Sequence, residues 1–111
     1  MESYLYYQGN ALVKRFDANS YLYISRAMNL YDVSEGYASL EAALHCVRSK
    51  ALFIGIRSDF LFPAAHVRGL AEQVNAVGGD ATYMKLASPH GHDAFLKEWE
   101  QMTTALNTIN Q

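Results

Sequence analysis

The chain has 111 residues, of which 50% are hydrophobic and 18% charged, with a formal net charge of −2 at pH 7. This composition is typical of one small globular domain and excludes a disordered or fibrous protein. The sequence offers no basic surface for nucleic acid, and its longest apolar run is far too short to span a membrane.

Residues 1–48 are predicted to form a helical lid or cap segment, and they contain seven of the eight tyrosines. Gly9 and Asn10 are expected to end a first short helix, and Asp17 to cap a second. Ser39 is expected to cap a short third helix. In the second helix, one packing face is predicted from residues that recur at helical spacing: Tyr21, Ile24, Met28 and Tyr31.

Residues 49–111 are predicted to alternate strand and helix. Two strands are expected, from Ala51 to Ile56 and from Ala81 to Leu86, and the first is apolar throughout, which predicts burial on both faces. The helix between them is expected to start at Pro63 and to stop at Gly78. A last helix is predicted to bury one apolar face: Phe95, Trp99, Met102, Leu106 and Ile109.

This order of elements predicts an α/β fold with parallel strands. A strand, a helix and a second strand form a right-handed crossover, which places the two strands side by side and parallel. A strand buried on both faces needs neighbours at both edges, and this chain supplies one. We therefore expect the chain to be part of a larger sheet.

The candidate catalytic residues lie in the two loops that follow the strands. Ligands of open α/β sheets bind beyond the carboxyl ends of the strands, where adjacent parallel strands are expected to bring Asp59 and His92 together. An aspartate bonded to one imidazole nitrogen leaves the other free to take a proton from a nucleophile. The pair is two-thirds of a catalytic triad, but the sequence has no G-x-S-x-G elbow to supply the serine.

Structural roles for the same residues remain open at this point. Asp59 could cap the helix that starts near Pro63, and His92 could be a hydrogen-bonded structural histidine. Asp93 could interact with a helix dipole. A metal site formed by His90, His92 and Asp93 would lack a third, distant ligand, so we expect none.

The start of the sequence and its cysteine content indicate a cytoplasmic protein. Glu2 stands where a signal peptide carries basic residues, and no apolar stretch follows it. Cys46 is the only cysteine, so no intrachain disulfide is possible. We expect Cys46 to be buried as a small hydrophobic residue.

The chain resembles the homoserine O-acetyltransferase family in three regions, a lid with two motifs and two loops with one motif each, which occur in the family's order. The segments 2–9 and 15–21 resemble the lid motifs E-S-Y-L-x-x-Q-G and R-F-D-A-N-S-Y of that family. The segment 58–63 resembles its S-D-x-L-F-P loop, and the segment 91–96 its G-H-D-A-F-L loop.

This resemblance implies the C-terminal part of an α/β-hydrolase-fold acyltransferase of methionine biosynthesis, in which a serine passes acetyl from acetyl-CoA to the hydroxyl of L-homoserine. Asp59 would be the triad acid, His92 the general base and acid, and Asp93 the carboxylate that receives the substrate's ammonium group. The substrates would be L-homoserine and acetyl-CoA, without a further cofactor, and the lid would pair two subunits into a homodimer. Because the serine is missing from this chain, the chain alone is expected to be inactive.

Two other functions are compatible with the same sequence. One is a related enzyme on this scaffold, either a serine or homoserine O-succinyltransferase or a hydrolase that lets water attack the acyl-enzyme. The other is a non-catalytic assembly module, which would dock through exposed tyrosines and an unpaired strand edge.

Overall fold

The computed structural model describes residues 1–109, which form two compact units that divide after Val33. The first unit contains helices α1 (Glu2–Arg15) and α2 (Ala18–Leu30). The second unit begins at Ser34 and contains α3 (Leu40–Leu44), β1 (Ala51–Ile56), α4 (Ala64–Ala76), β2 (Ala81–Leu86), a 3₁₀ helix (Gly91–Leu96) and α5 (Trp99–Ile109).

The first unit differs from the prediction at two points. Helix α1 continues through Gly9 and Asn10, so the predicted break is wrong. A glycine costs a helix only about 1 kcal/mol, which is too little to end one of 14 residues. The predicted face of α2 is also wrong as a buried surface, since neither α1 nor α2 contains a buried residue. The cap is confirmed, because Oδ1 of Asp17 accepts a hydrogen bond of 2.7 Å from the backbone N–H of Ser20.

The second unit is built on a sheet of two parallel strands among the described residues. The strands pair from Ala51 with Ala81 to Ile56 with Leu86, and both occupy their predicted bounds. The predicted α/β class with parallel strands is confirmed, and the arrangement fits the C-terminal part of a larger α/β fold. The predicted burial of β1 is confirmed only for Gly55 and Ile56. Residues 51–54 are half buried, because the second edge of β1 has no neighbouring strand among the described residues.

Helices pack against both faces of this sheet. On one face, Tyr83 donates a hydrogen bond of 3.2 Å to the carbonyl of Ala64 in α4. On the other face, Ile56 and Leu86 form a core with Ala94 of the 3₁₀ helix, and Met102 of α5 packs against that core. The ends of β1 and β2 are thereby packed between α4 on one face and the 3₁₀ helix with α5 on the other. This packing fixes the positions at which the two following loops begin.

Local signals set the ends of α4 as predicted. Pro63 is its N-cap residue, and the helix gives way to Gly78, whose φ of +84° favours glycine. The Asn75 side chain then bonds both backbone polar groups of Ala81, at 2.7 and 2.8 Å. These bonds connect the end of α4 directly to the start of β2.

The predicted last helix is wrong in its continuity and in its buried face. Its first part is a 3₁₀ helix, which has about 3.0 residues per turn instead of 3.6, so one apolar stripe cannot continue into α5. Trp99 is 70% exposed and Leu106 is 52% exposed. The small Ala105 is fully buried instead, where its size lets α5 lie close to the sheet.

The segment around α3 confirms one prediction and contradicts another. Oγ of Ser39 accepts a hydrogen bond of 3.2 Å from the N–H of Ala42, so the predicted cap is confirmed. Cys46 is exposed, contrary to the expected burial, because it lies beyond the end of the five-residue helix α3. Helix α3 packs against α4 and so belongs to the second unit. The two units therefore divide after Val33 and not at the predicted limit between residues 48 and 49. The assignment of residues 1–48 to a lid stays a prediction.

Within residues 1–109, no helix combines the length and the apolar character needed to cross a membrane.

Candidate active site

Asp59 lies in the loop after β1 with its carboxylate almost fully buried. Its side chain is 3% exposed, and each of its oxygens has hydrogen-bond partners. Oδ1 accepts from the backbone N–H groups of Leu61 and Phe62, at 2.8 and 2.9 Å. Oδ2 lies 2.7 Å from Nδ1 of His92. Since an ionised carboxylate can only accept, Nδ1 carries the proton of this bond.

His92 is the second residue of the 3₁₀ helix that follows β2, and its ring is held on three sides. Phe62 lies with its ring centre 5.2 Å from that of the imidazole, and Phe95 packs edge-on at 5.8 Å. Asp59 holds Nδ1 from the third side. The side chain is nevertheless 46% exposed, so the geometry leaves Nε2 as the nitrogen for proton transfer.

The surroundings of Asp59 favour the ionised form of its carboxyl group. The Phe62 N–H, and after it the hydrogen bond with His92, lower the pKa of Asp59 below its ordinary value. Asp59 therefore stays ionised near neutral pH, holds the Nδ1 proton and stabilises an imidazolium when Nε2 takes a second proton. The predicted contact of Asp59 with His92 is confirmed, whereas their catalytic roles remain predictions.

The helix-capping alternative for Asp59 is only partly right. The N-cap residue of α4 is Pro63, and Asp59 binds N–H groups that precede this helix. One carboxylate oxygen shapes its own loop, and the other binds the histidine. The carboxylate therefore has a structural role and an orienting role together.

A cleft of about 340 Å³ borders the pair. Apolar side chains form most of its wall. The cleft is lined by Ile54, Ile56, Asp59, Phe62, Val67, His92, Phe95 and Met102.

Asp93, the predicted substrate carboxylate, follows His92 in the 3₁₀ helix and is exposed. Its role stays a prediction. His90 is exposed as well. Among residues 1–109, no group of three or more potential ligands is arranged to hold a metal ion.

The side chains that hold the segment from Ala87 to His92, which we call the histidine loop, were not predicted from the sequence. Oγ of Ser88 accepts from the N–H of His90 at 3.1 Å, a local serine turn that the sequence could have indicated. Gln101 binds the N–H and the carbonyl of Ala87, at 2.9 and 3.0 Å. No local sequence pattern predicts the contact of Gln101 with Ala87, because it forms only when α5 folds back onto the end of β2.

Comparison with curated proteins finds relatives that are similar to this chain. A homoserine O-acetyltransferase of Symbiobacterium thermophilum is 52% identical over 99 residues, which cover 89% of this chain and 26% of that protein. One of Carboxydothermus hydrogenoformans is 46% identical over 109 residues, covering 98% of this chain and 29% of the relative. One of Moorella thermoacetica is 48% identical over 106 residues, covering 96% and 28%.

The similarity confirms the predicted resemblance and extends over nearly all of the chain. The chain spans between about a quarter and three-tenths of the length of these curated relatives. This share fits the predicted portion of a longer protein. No family model matches the chain.

Proposed function

We propose that this chain, a relative of the homoserine O-acetyltransferases, is the C-terminal portion of an enzyme that transfers acetyl from acetyl-CoA to the hydroxyl of L-homoserine in methionine biosynthesis. The observation that carries the proposal is the 2.7 Å hydrogen bond between Asp59 and His92 at the carboxyl ends of two adjacent parallel strands. The printed names of the relatives support the choice of substrates.

In the proposed reaction, the nucleophilic serine comes from the remaining part of the enzyme. Nε2 of His92 takes the serine proton while the serine oxygen attacks the thioester carbonyl, and the proton then leaves with the CoA sulfur. The homoserine hydroxyl next gives its proton to Nε2 and attacks the acyl-enzyme, and the serine regains a proton as it leaves. Asp59 holds Nδ1 throughout and stabilises the imidazolium formed in each step.

The exposed carboxylate of Asp93 would bind the ammonium group of homoserine, since it lies next to the proposed base in the chain. Residues 1–48 would pair two copies of the enzyme as a helical lid. The many exposed tyrosines and the absence of buried residues in α1 and α2 support a role of these helices in an interface. The location of the enzyme would be cytoplasmic.

A chimeric enzyme tests this function. The matching segment of the Symbiobacterium thermophilum relative is replaced by this chain, and CoA release is measured with acetyl-CoA and L-homoserine. We expect acetyl transfer, with the unaltered relative as the control. A chimera that folds, as judged by circular dichroism, but transfers no acetyl would contradict the proposal.

Two further assays separate this function from its alternatives. A chimera that prefers succinyl-CoA or L-serine would indicate the related transferases, and release of free acetate without an acceptor would indicate a hydrolase. The purified 111-residue chain is expected to be inactive, because the serine nucleophile is proposed to lie elsewhere. Acetyl transfer by this chain alone would overturn that part of the proposal.

A further inference from the structure

The loop after β1 holds the histidine loop at two successive residues. Oγ of Ser58 accepts a hydrogen bond of 2.9 Å from the backbone N–H of Gly91, and Asp59 binds the side chain of His92 at 2.7 Å. We infer that Ser58 is a positioning residue for His92, fixing the backbone that carries the imidazole. This inference rests on the proposed acetyl-transfer function.

Gly91 is the point at which the chain turns into the 3₁₀ helix. Its φ is +62°, and the first N–H groups of a helix have no partner inside it. Half-buried Ser58 supplies that partner from the other loop. The hydroxyl therefore satisfies an N–H group and joins the two loops through one bond.

The two bonds constrain different parts of His92. The Asp59 bond sets the orientation of the ring, whereas the Ser58 bond sets the position of the backbone to which the ring is attached. Gln101 holds the other end of this loop, at Ala87. Without the Ser58 hydroxyl, the bond of Asp59 with the His92 ring would be the remaining side-chain hydrogen bond between the two loops, and the backbone at Gly91 could shift. A displacement of about 1 Å at a reacting group can cost about 10²-fold in rate.

The test compares Ser58→Ala, Ser58→Thr and Ser58→Cys in the chimera described above. We expect Ser58→Ala to lower kcat by roughly 10- to 100-fold with little change in the KM for homoserine. Threonine keeps the hydroxyl and should restore most of the rate, and cysteine, a weaker acceptor, should give an intermediate rate. Ser49→Ala, at an exposed serine in the same unit, is the matched control and should behave like the parent.

Pre-steady-state kinetics separate positioning from a general loss of structure. Both transfer steps use His92, so Ser58→Ala should slow the release of CoA in the burst and the later transfer to homoserine. The burst amplitude, which counts active sites, should stay constant. A reduced amplitude with unchanged rate constants would indicate a merely structural role and overturn the inference.

The outcomes also distinguish this inference from the function on which it rests. A folded but inactive parent chimera contradicts the proposed function. An active parent with equal rates for serine, threonine, cysteine and alanine at position 58 leaves the function standing and overturns the positioning role. If the alanine variant does not fold, equal rates for serine and cysteine overturn it in the same way.

Discussion

Replacing Asp59 by asparagine tests the hydrogen bond on which the proposed chemistry depends. Oδ1 accepts two backbone N–H groups, from Leu61 and Phe62, so the amide carbonyl must take its place. If the asparagine amide were turned the other way, its NH₂ group would face the two backbone N–H donors and form no hydrogen bond with them. The amide NH₂ then faces Nδ1 of His92, which has to accept a hydrogen bond and shift its proton to Nε2.

This change of tautomer sets the size of the expected effect. A ring protonated on Nε2 cannot take the proton of a serine, although every heavy atom stays close to its position. The same substitution in a serine protease lowers kcat about 10⁴-fold, and we expect a loss of that order here. The KM for homoserine should change little, because the proposed partner of its ammonium group is Asp93.

The assay measures kcat and KM from CoA release by the chimera that carries Asp59→Asn. Asp80→Asn is the matched control, because Asp80 is an exposed carboxylate that precedes β2 at the opposite end of the strand. It should leave kcat unchanged. Circular dichroism checks that both variants fold.

A loss of kcat smaller than about tenfold, less than 1.4 kcal/mol in the barrier, would refute this reasoning. Asp59 would then not control the tautomer of His92. An equal loss in the Asp80 variant would show that the effect comes from a lost charge and not from the hydrogen bond.

Three further predictions concern substrate binding and stability in the same chimera. Asp93→Asn should raise the KM for homoserine by roughly tenfold or more, the loss of one charged hydrogen bond, and an unchanged KM would contradict its role. In denaturant titrations, Leu86→Ala, at a side chain 2% exposed, should cost about 2–5 kcal/mol. The lowered pKa of Asp59 stabilises the folded state above its unfolded pKa of about 3.9, and this contribution is lost as the pH falls through the folded pKa. The free energy of unfolding of the parent should therefore approach that of Asp59→Asn as the pH is lowered. A difference in free energy that does not change with pH would contradict this role of the Asp59 pKa.

Features with local causes were predictable from the sequence. Both strands occupy their predicted bounds, and for β1 the signal is an uninterrupted apolar run between polar loops, which depends only on neighbouring residues. The caps at Asp17 and Ser39 depend on side chains that bond N–H groups three residues ahead. The contact between Asp59 and His92 also followed, since parallel strands in register bring the loops at their carboxyl ends together.

The errors occurred where distant contacts decide the local structure. The residues around His92 have the apolar spacing of an α-helix but form a 3₁₀ helix, bound at its start by Ser58 and Asp59, 33 residues away. Ala105 is buried instead of Trp99, because the approach of α5 to the sheet selects the inward residue by size and not by apolar character alone.

The two strands, the loops that follow them and the acid and histidine in those loops could all be predicted from the amino-acid sequence. How the two loops are joined depended on the folded chain: Oδ2 of Asp59 binds Nδ1 of His92, and the Ser58 hydroxyl accepts from the N–H of Gly91. A pattern of apolar residues reflects a few neighbours along the chain, whereas each of these two bonds forms only after the sheet has brought two remote segments within 3 Å.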